Sequence, residues 1–396
     1  MKNPPPFRLP FSMSISANRL SSLCFRLAWI APGLAAALSG RALEVPSDHF
    51  VPLTPENAII GHFSKTKAPV LTIRSGEVVR FDGGGGTGWG REATEADADA
   101  WLKANGIDAT VESCPPIREM MRVLKETPRA PGIPGGHFIT GPVYIEDAEP
   151  GDSLEVRVLK VTPRIPWGTN GARPGGGGLP DLVPRPFEKV YKIDLKRNAA
   201  IYDDKVEFPL RAFNGVMATC PPDSELPDRK SGPPGVFGGN LDWKDMGEGA
   251  TLYLPVFQKG ALFYTGDCHA SQGDGEVAGN AIGTANTAIY QFILHKGKML
   301  KGPRAETPTH YILFGLDPDL DQAMRNALTE ALDFLKETRG YDFVQAYTMA
   351  SAGAVDLHVT QVVDGILGVH ARIPKRIFVQ EPDSYWYRPR HGSSAF

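Results

Sequence analysis

The chain has 396 residues, long enough to bury a large core and to form two or more domains. Its formal net charge of −3 gives no electrostatic reason to expect a nucleic-acid partner. Gly (43) and Pro (35) exceed ordinary usage without a repeat period, which excludes collagen and solenoids and points to many turns in a β-rich fold.

The first elements read as an export signal. Arg8, Arg19 and Arg26 make a positive leader, Leu27–Leu38 is an apolar stretch, and Gly40-Arg41-Ala42 offers small residues for cleavage. The apolar stretch is shorter than the roughly 20 residues a membrane span needs. Residues 1–42 are therefore expected to be a signal peptide, the mature protein to be periplasmic or secreted, and no stable membrane span to remain. Of the four cysteines, Cys24 goes with the leader. Cys114 and Cys220 each precede Pro-Pro, so both are expected in loops, where an oxidising compartment would permit a disulfide between them. There is no CxxC pair, which excludes a zinc site with four cysteine ligands.

From residue 69 onward the pattern is strand and turn. Pro69–Arg74, Ser75-Gly76-Glu77 and Val78–Phe81 read as a hairpin. The glycine-dense Asp82–Gly90 must be a loop, and Asp97–Asn105 reads as a short helix. Gly141–Ile145 is strand-like, and Ser153–Val161 alternates apolar and polar residues as a half-buried strand does. Residues 163–184 are Pro/Gly-rich and read as a surface loop or a lid, and residues 221–239 as a second loop. Thr251–Val256 and Ala261–Thr265 read as strands around Gln258-Lys259-Gly260. Later, Asp317–Thr338 carries the helical period with Leu320, Met324, Leu328, Leu332 and Leu335 on one face. Tyr341–Ala350 is expected to be a helix and Ala354–Val363 a strand. The sum is a mainly β fold, sandwich- or barrel-like, with an α+β portion.

The chemistry concentrates in Gly266-Asp267-Cys268-His269-Ala270-Ser271-Gln272-Gly273-Asp274-Gly275-Glu276. Asp, Glu and His bind hard and borderline divalent ions and move protons near neutral pH. So much glycine and charge reads as a loop rather than a core strand. Asp242 upstream is a further acid, and Cys268 has no activating partner fixed by sequence. Neither a Gly-x-Ser-x-Gly elbow nor a phosphate-binding glycine motif is present, which argues against a serine nucleophile and a nucleotide cofactor.

Several runs together resemble the acetamidase/formamidase family. They are His137–Ile145 (HFITGPVYI), Ala148-Glu149-Pro150-Gly151-Asp152, Gly238-Gly239-Asn240-Leu241-Asp242, the GDCHA…GDGE run itself, and Val359–Val363 with Gly368-Val369-His370-Ala371. The resemblance implies one catalytic domain over 43–378, β-rich over about 50–300 and α+β over about 301–378, with a tail at 379–396. It implies hydrolysis of short linear amides such as formamide or acetamide, and a homodimer or larger homo-oligomer. It also implies a divalent metal ion, zinc first, with calcium or manganese compatible. His62, Asp242, Asp267, His269 and Glu276 are the expected metal ligands. Glu276, Asp274 and Gln272 are the expected catalytic residues, Glu276 as ligand or general base. Gly283 stands where the family's Ala-Ile-Glu would place a carboxylate. Two rival readings follow: a C–N hydrolase for a larger amide or amidine-like compound, and an exported binding protein without catalysis.

Overall fold

The computed structural model describes residues 45–133, 135–227 and 229–380. The expected signal peptide lies outside them, as does most of the expected tail. Among the described residues two sheets carry the fold. A nine-stranded sheet runs from the edge strand His49–Val51 through Val78–Asp82, Asn286–His295, Ser153–Pro163, Thr251–Pro255, Arg304–Glu306, His310–Asp317 and Leu367–Pro374 to Asp356–Gln361. The second sheet has eleven strands, with Phe263–Ser271 at its centre between Phe213–Ala218, Phe138–Ile145 and Ile282–Gly283. The largest apolar cluster takes Val79, Phe81, Leu252 and Tyr290 from the first sheet and Val143, Phe213, Met217 and Phe263 from the second, so the sheets pack face to face. The fold is mainly β, and the expected α+β portion is not a separate layer, because its strands continue the nine-stranded sheet.

The hairpin read from residues 69–81 does not form. Leu71–Ile73 pairs in parallel with Phe138–Ile145, whereas Val78–Asp82 joins the other sheet beside Asn286–His295. Thr251–Pro255 and Phe263–Ser271 likewise belong to different sheets. A turn signal reports that the chain reverses; it does not report whether the next strand returns beside the last or crosses to the facing layer. The turn at Ser75-Gly76 is pinned to the first sheet by the Gly76 amide donating to Phe292 O at 2.6 Å.

Helix α1, Glu95–Ala104, begins at a capping box between Thr94 and Asp97. Cys114 is not in a loop flanked by prolines but at the N-terminus of helix α2, Pro115–Glu126. Proline fits there because the first helical turn has no internal partner for its missing N–H. Cys114 and Cys220 are buried free thiols in different apolar clusters, so the disulfide that an oxidising compartment would permit is not formed. Helix α3, Leu320–Arg339, is capped by Asp319 and closed by Gly340 at φ 76°. Its fully buried stripe is Ala323, Ala327, Ala331 and Leu335, with Leu320, Met324 and Leu328 only partly covered. The reason is close approach: a Cβ on Gly315 of the underlying strand would overlap Ala323 O and Ala327 N.

Gly315→Ala should push α3 off the sheet and destabilise the protein by about 1–3 kcal/mol. Denaturant titration measures this; an unchanged midpoint would refute the close-packed interface.

Candidate active site

The first half of the chemical run is a strand rather than a loop, and Gln272–Glu276 form a turn beyond its end. Asp267, Cys268 and His269 lie within Phe263–Ser271, at the centre of the eleven-stranded sheet. The glycine explains how this is possible: a Cβ on Gly266 would overlap Phe138 O of the neighbouring strand. Asp267 then bends the strand with φ 55°. Asp242 (φ 47°) and Glu276 (φ 44°) are also in the left-handed region. Such conformations cost of order 1 kcal/mol or more for residues with a Cβ and persist where the surroundings over-determine them. Here the Gly275 amide donates to Thr360 O at 2.9 Å and holds the turn before Glu276.

These three acids and His269 converge. His269 Nε2 lies 3.2 Å from Asp267 Oδ1 and 4.0 Å from Glu276 Oε1, and its Nδ1 lies 3.7 Å from Asp242 Oδ1. Asp242 is 1% exposed, and both of its carboxylate oxygens are buried without a hydrogen-bond partner. Gly215, on the adjacent strand, makes the room, because a Cβ there would overlap Asp242 Oδ1 and Asp267 Oδ2. Gln272 donates to the Asp242 carbonyl at 2.6 Å, and its Oε1 is buried and unpartnered.

Asp364 is a member of the cluster that the sequence reading missed. One ligand atom each from Asp242, Glu276 and Asp364 lie within 4.8 Å of one another, as do atoms from Asp242, Asp267 and His269. Asn240 donates to Asp364 Oδ2 at 3.1 Å. The available signal was position: Asp364-Gly365 directly follows the Val359–Val363 run. His137 faces both Asp267 and Asp364, and its Nδ1 is buried without a partner.

Other expected site residues stand apart. His62 joins neither group; its Nδ1 lies 3.0 Å from Ile60 O, and it lines a separate cavity with Lys65, Asp223 and Lys230. Asp274 points elsewhere too, pairing with Lys244 at 3.0 Å and lying 3.6 Å from His358. Cys268 is buried, its thiol is pushed up to about 12 by desolvation, and it sits where a Cβ on Gly83 would be. That thiol is a poor nucleophile. His370 is fully buried against Trp243, with its Nδ1 at 2.8 Å from Thr360 Oγ1, a packing role.

The electrostatics follow from crowding acids in a dry space. Burial, then Glu276, Asp267 and Asp364, raise Asp242 well above the carboxylate range. Burial raises Glu276 to about 8 and Asp364 to about 6. For His269, burial works against protonation, but Asp267 and Glu276 prevail and raise it to about 9. Burial likewise opposes ionisation of Asp267, yet His269 and His137 hold it below the usual range. An anionic, oxygen-rich group with one imidazole and orphaned carboxylate oxygens is a fit for a divalent cation.

A cavity of about 790 Å³ reaches Asp267 and His269. Its wall includes Thr87, Asn170, Arg173, Gly175–Gly177 and Gly283, so part of the Pro/Gly-rich 163–184 segment covers the site. The same segment also contains the strand Trp167–Ala172.

Known proteins resemble this chain in sequence and in fold. The sequence profile described as "Acetamidase/Formamidase family" matches residues 126–232 and 227–380. A formamidase of Methylophilus methylotrophus is 26% identical over 304 residues, 58% of this chain and 73% of its own length. An acetamidase of Mycolicibacterium smegmatis is 25% identical over 305 residues, 56% of this chain and 74% of its own. The crystal structure of an acetamidase from Bacillus halodurans superposes with a TM-score of 0.67 at 27% identity, covering 84% of this chain and 99% of that one.

Because Glu276 and Asp364 bind protons more tightly folded than unfolded, they favour the folded state at low pH and lose that contribution as pH rises through about 4 to 8. His269, raised from 6.5 to about 9, stabilises below 6.5 and loses its contribution on the way to 9, the same direction. The chelator-treated protein should therefore melt at a higher temperature near pH 5.5 than near pH 8.5, with Glu276→Gln flattening the difference. Buried His370, held well below the usual imidazole range by desolvation, works in the opposite direction, so the Glu276→Gln difference is the decisive reading: an unchanged pH dependence in that variant would contradict the proton-holding cluster.

Proposed function

This chain belongs to the acetamidase/formamidase family, and we infer that it is an amidase, hydrolysing the C–N bond of short linear amides to a carboxylic acid and ammonia. The observation that carries the site assignment is Asp242: a buried carboxylate with two unpartnered oxygens beside Asp267, His269 and Glu276. These four residues are the proposed holders of a divalent ion. When bound, such an ion polarises the amide carbonyl and makes a water nucleophilic near neutral pH.

The protein's own groups supply the rest. Asp267 and Asp242 flank His269, and Phe213 packs edge-on against its ring at 5.0 Å. Gln272 anchors the Asp242 backbone and stands beside His269, so its role is to position these ligands rather than to react. Asp274, tied to Lys244, positions the 272–279 turn from outside. His137, facing Asp267 and Asp364, is the proposed proton carrier to the departing nitrogen through its unpartnered Nδ1. Export to the periplasm or beyond remains part of the proposal, resting on residues 1–42.

Cavity size favours a second reading, in which larger amides are also accepted. Its volume of about 790 Å³ far exceeds what formamide or acetamide fills, and Gly283 leaves its wall low. A Cβ on Gly283 would make only ordinary contact, 3.6 Å from Thr169 O at the nearest.

Purified protein should release ammonia from formamide and acetamide and stop doing so after exhaustive chelation. His137→Gln should retain the ion, measured by elemental analysis, while kcat falls at least about 100-fold. Turnover that survives metal removal would refute the metal-dependent reading. Separately, Gly283→Leu should lower kcat/KM for longer amides several-fold and spare formamide. A uniform effect across chain lengths would reject the larger-substrate reading.

A further inference from the structure

We infer that Arg173 and Glu188 hold the charged head of an α-amino acid, so that the preferred substrate is the side-chain amide of an amino acid; this deepens, and rests on, the amidase reading above. The cavity that reaches Asp267 and His269 takes both residues into its wall. Among the described residues neither enters an ion pair or a side-chain hydrogen bond. Their placement follows from strand register. Trp167–Ala172 pairs antiparallel with Phe187–Asp194, and Gly171 stands opposite Glu188. Arg173 lies two residues beyond Gly171, so it falls diagonal to Glu188 on the same face, a backbone separation of about 7–8 Å. The two charges form no salt bridge with each other, which leaves room between them for a group carrying one charge of each sign.

An α-ammonium meets Glu188 in this arrangement, and the α-carboxylate meets the planar fork of Arg173, which suits a carboxylate in two-point contact. The amide end then lies toward Asp267 and His269. The wall that presents the cation is tied down. The Gly178 amide donates to Val277 O at 2.8 Å, which fastens the segment to the residue after Glu276. Asn170 Nδ2 donates to Asn280 Oδ1 at 2.8 Å, and Asn280 Nδ2 donates back to Gly171 O at 3.1 Å. The Arg173 stem lies along Gly176, where a Cβ would come within 3.1 Å of Arg173 Cγ. Formamide and acetamide carry nothing for either charge to recognise, whereas an amino-acid amide uses both.

Four amides on one carbon skeleton separate the charges. Propionamide has none, 3-aminopropionamide adds an ammonium, succinamate adds a carboxylate, and asparagine has both. Ammonia release by the purified protein should give asparagine a kcat/KM about 10-fold above propionamide, each exposed and screened charge accounting for about 3- to 5-fold. Arg173→Gln should lower asparagine and succinamate by that factor, chiefly through KM, and Arg173→Lys should recover part of it. Glu188→Gln should lower asparagine and 3-aminopropionamide. Neither variant should alter propionamide, which also serves as the check on folding, since both side chains are exposed. Equal turnover of propionamide and asparagine, or an asparagine preference unmoved by either variant, would overturn the head-group assignment and leave the amidase reading intact. A succinamate preference equal to that for asparagine and indifferent to Glu188→Gln would overturn it too. No ammonia from these four or from formamide and acetamide would overturn the amidase reading and this one with it.

Discussion

A buried carboxylate without a partner organises this molecule. Asp242 is sealed from solvent, receives no hydrogen bond on either oxygen, and lies among three further acids and one imidazole. Removing an unpaired charge from water costs several kcal/mol even after relaxation. The arrangement persists only if something compensates it, and both routes are legible. Protons compensate when no cation is present, which is why Glu276 and Asp364 are driven upward. A cation compensates when one is bound. The surrounding fold sets up this choice: two large sheets supply the apolar burial that holds a polar, strained centre in place.

The acids reach one point by backbone means. Asp242, Asp267 and Glu276 come from three separated stretches of chain, and each takes a left-handed backbone conformation that aims its side chain inward. Glycines make the accommodation: Gly215 vacates the volume that two of the carboxylates occupy, and Gly266 lets its strand lie against Phe138. Asp267 and His269 thus stand on a strand at the middle of a sheet, while Asp242, Glu276 and Asp364 reach them from turns and loops beside it. Placement on a rigid element is what precise ligand geometry requires.

Much of this was legible in the residues, and the failures are physically informative. The Asp267–Glu276 run announced its chemistry because acids, histidine and glycine seldom cluster for packing alone. Helix α3 was visible through its period and its caps. The 69–81 hairpin was misread because local turn chemistry carries no information about which layer receives the next strand. Helix α2 was missed because Pro-Pro suggests a break, yet the first helical turn tolerates proline. Asp364 escaped because an Asp-Gly pair reads as a turn, and only the tertiary fold reveals that this turn ends beside Asp242. His62 was carried by resemblance alone, and the fold places it against a different cavity. The run that looked least like a strand became one because the conformational cost at Asp267 is met by the sheet around it.

The Gly83–Gly86 stretch has a consequence of a different kind. In composition it looks like a low-complexity spacer, the sort of sequence in which any residue would serve. In the fold each glycine is pressed against a different neighbour: Gly83 on Cys268 Sγ, Gly84 on Phe138 and Leu53, Gly85 on Thr284 O, and Gly86 on Gly283 O. Side chains added at these positions would collide with separate targets, so no single compensating change could relieve two of them. Four adjacent positions are therefore each held to glycine by a contact of their own, and apparent simplicity of sequence here records close packing rather than slack.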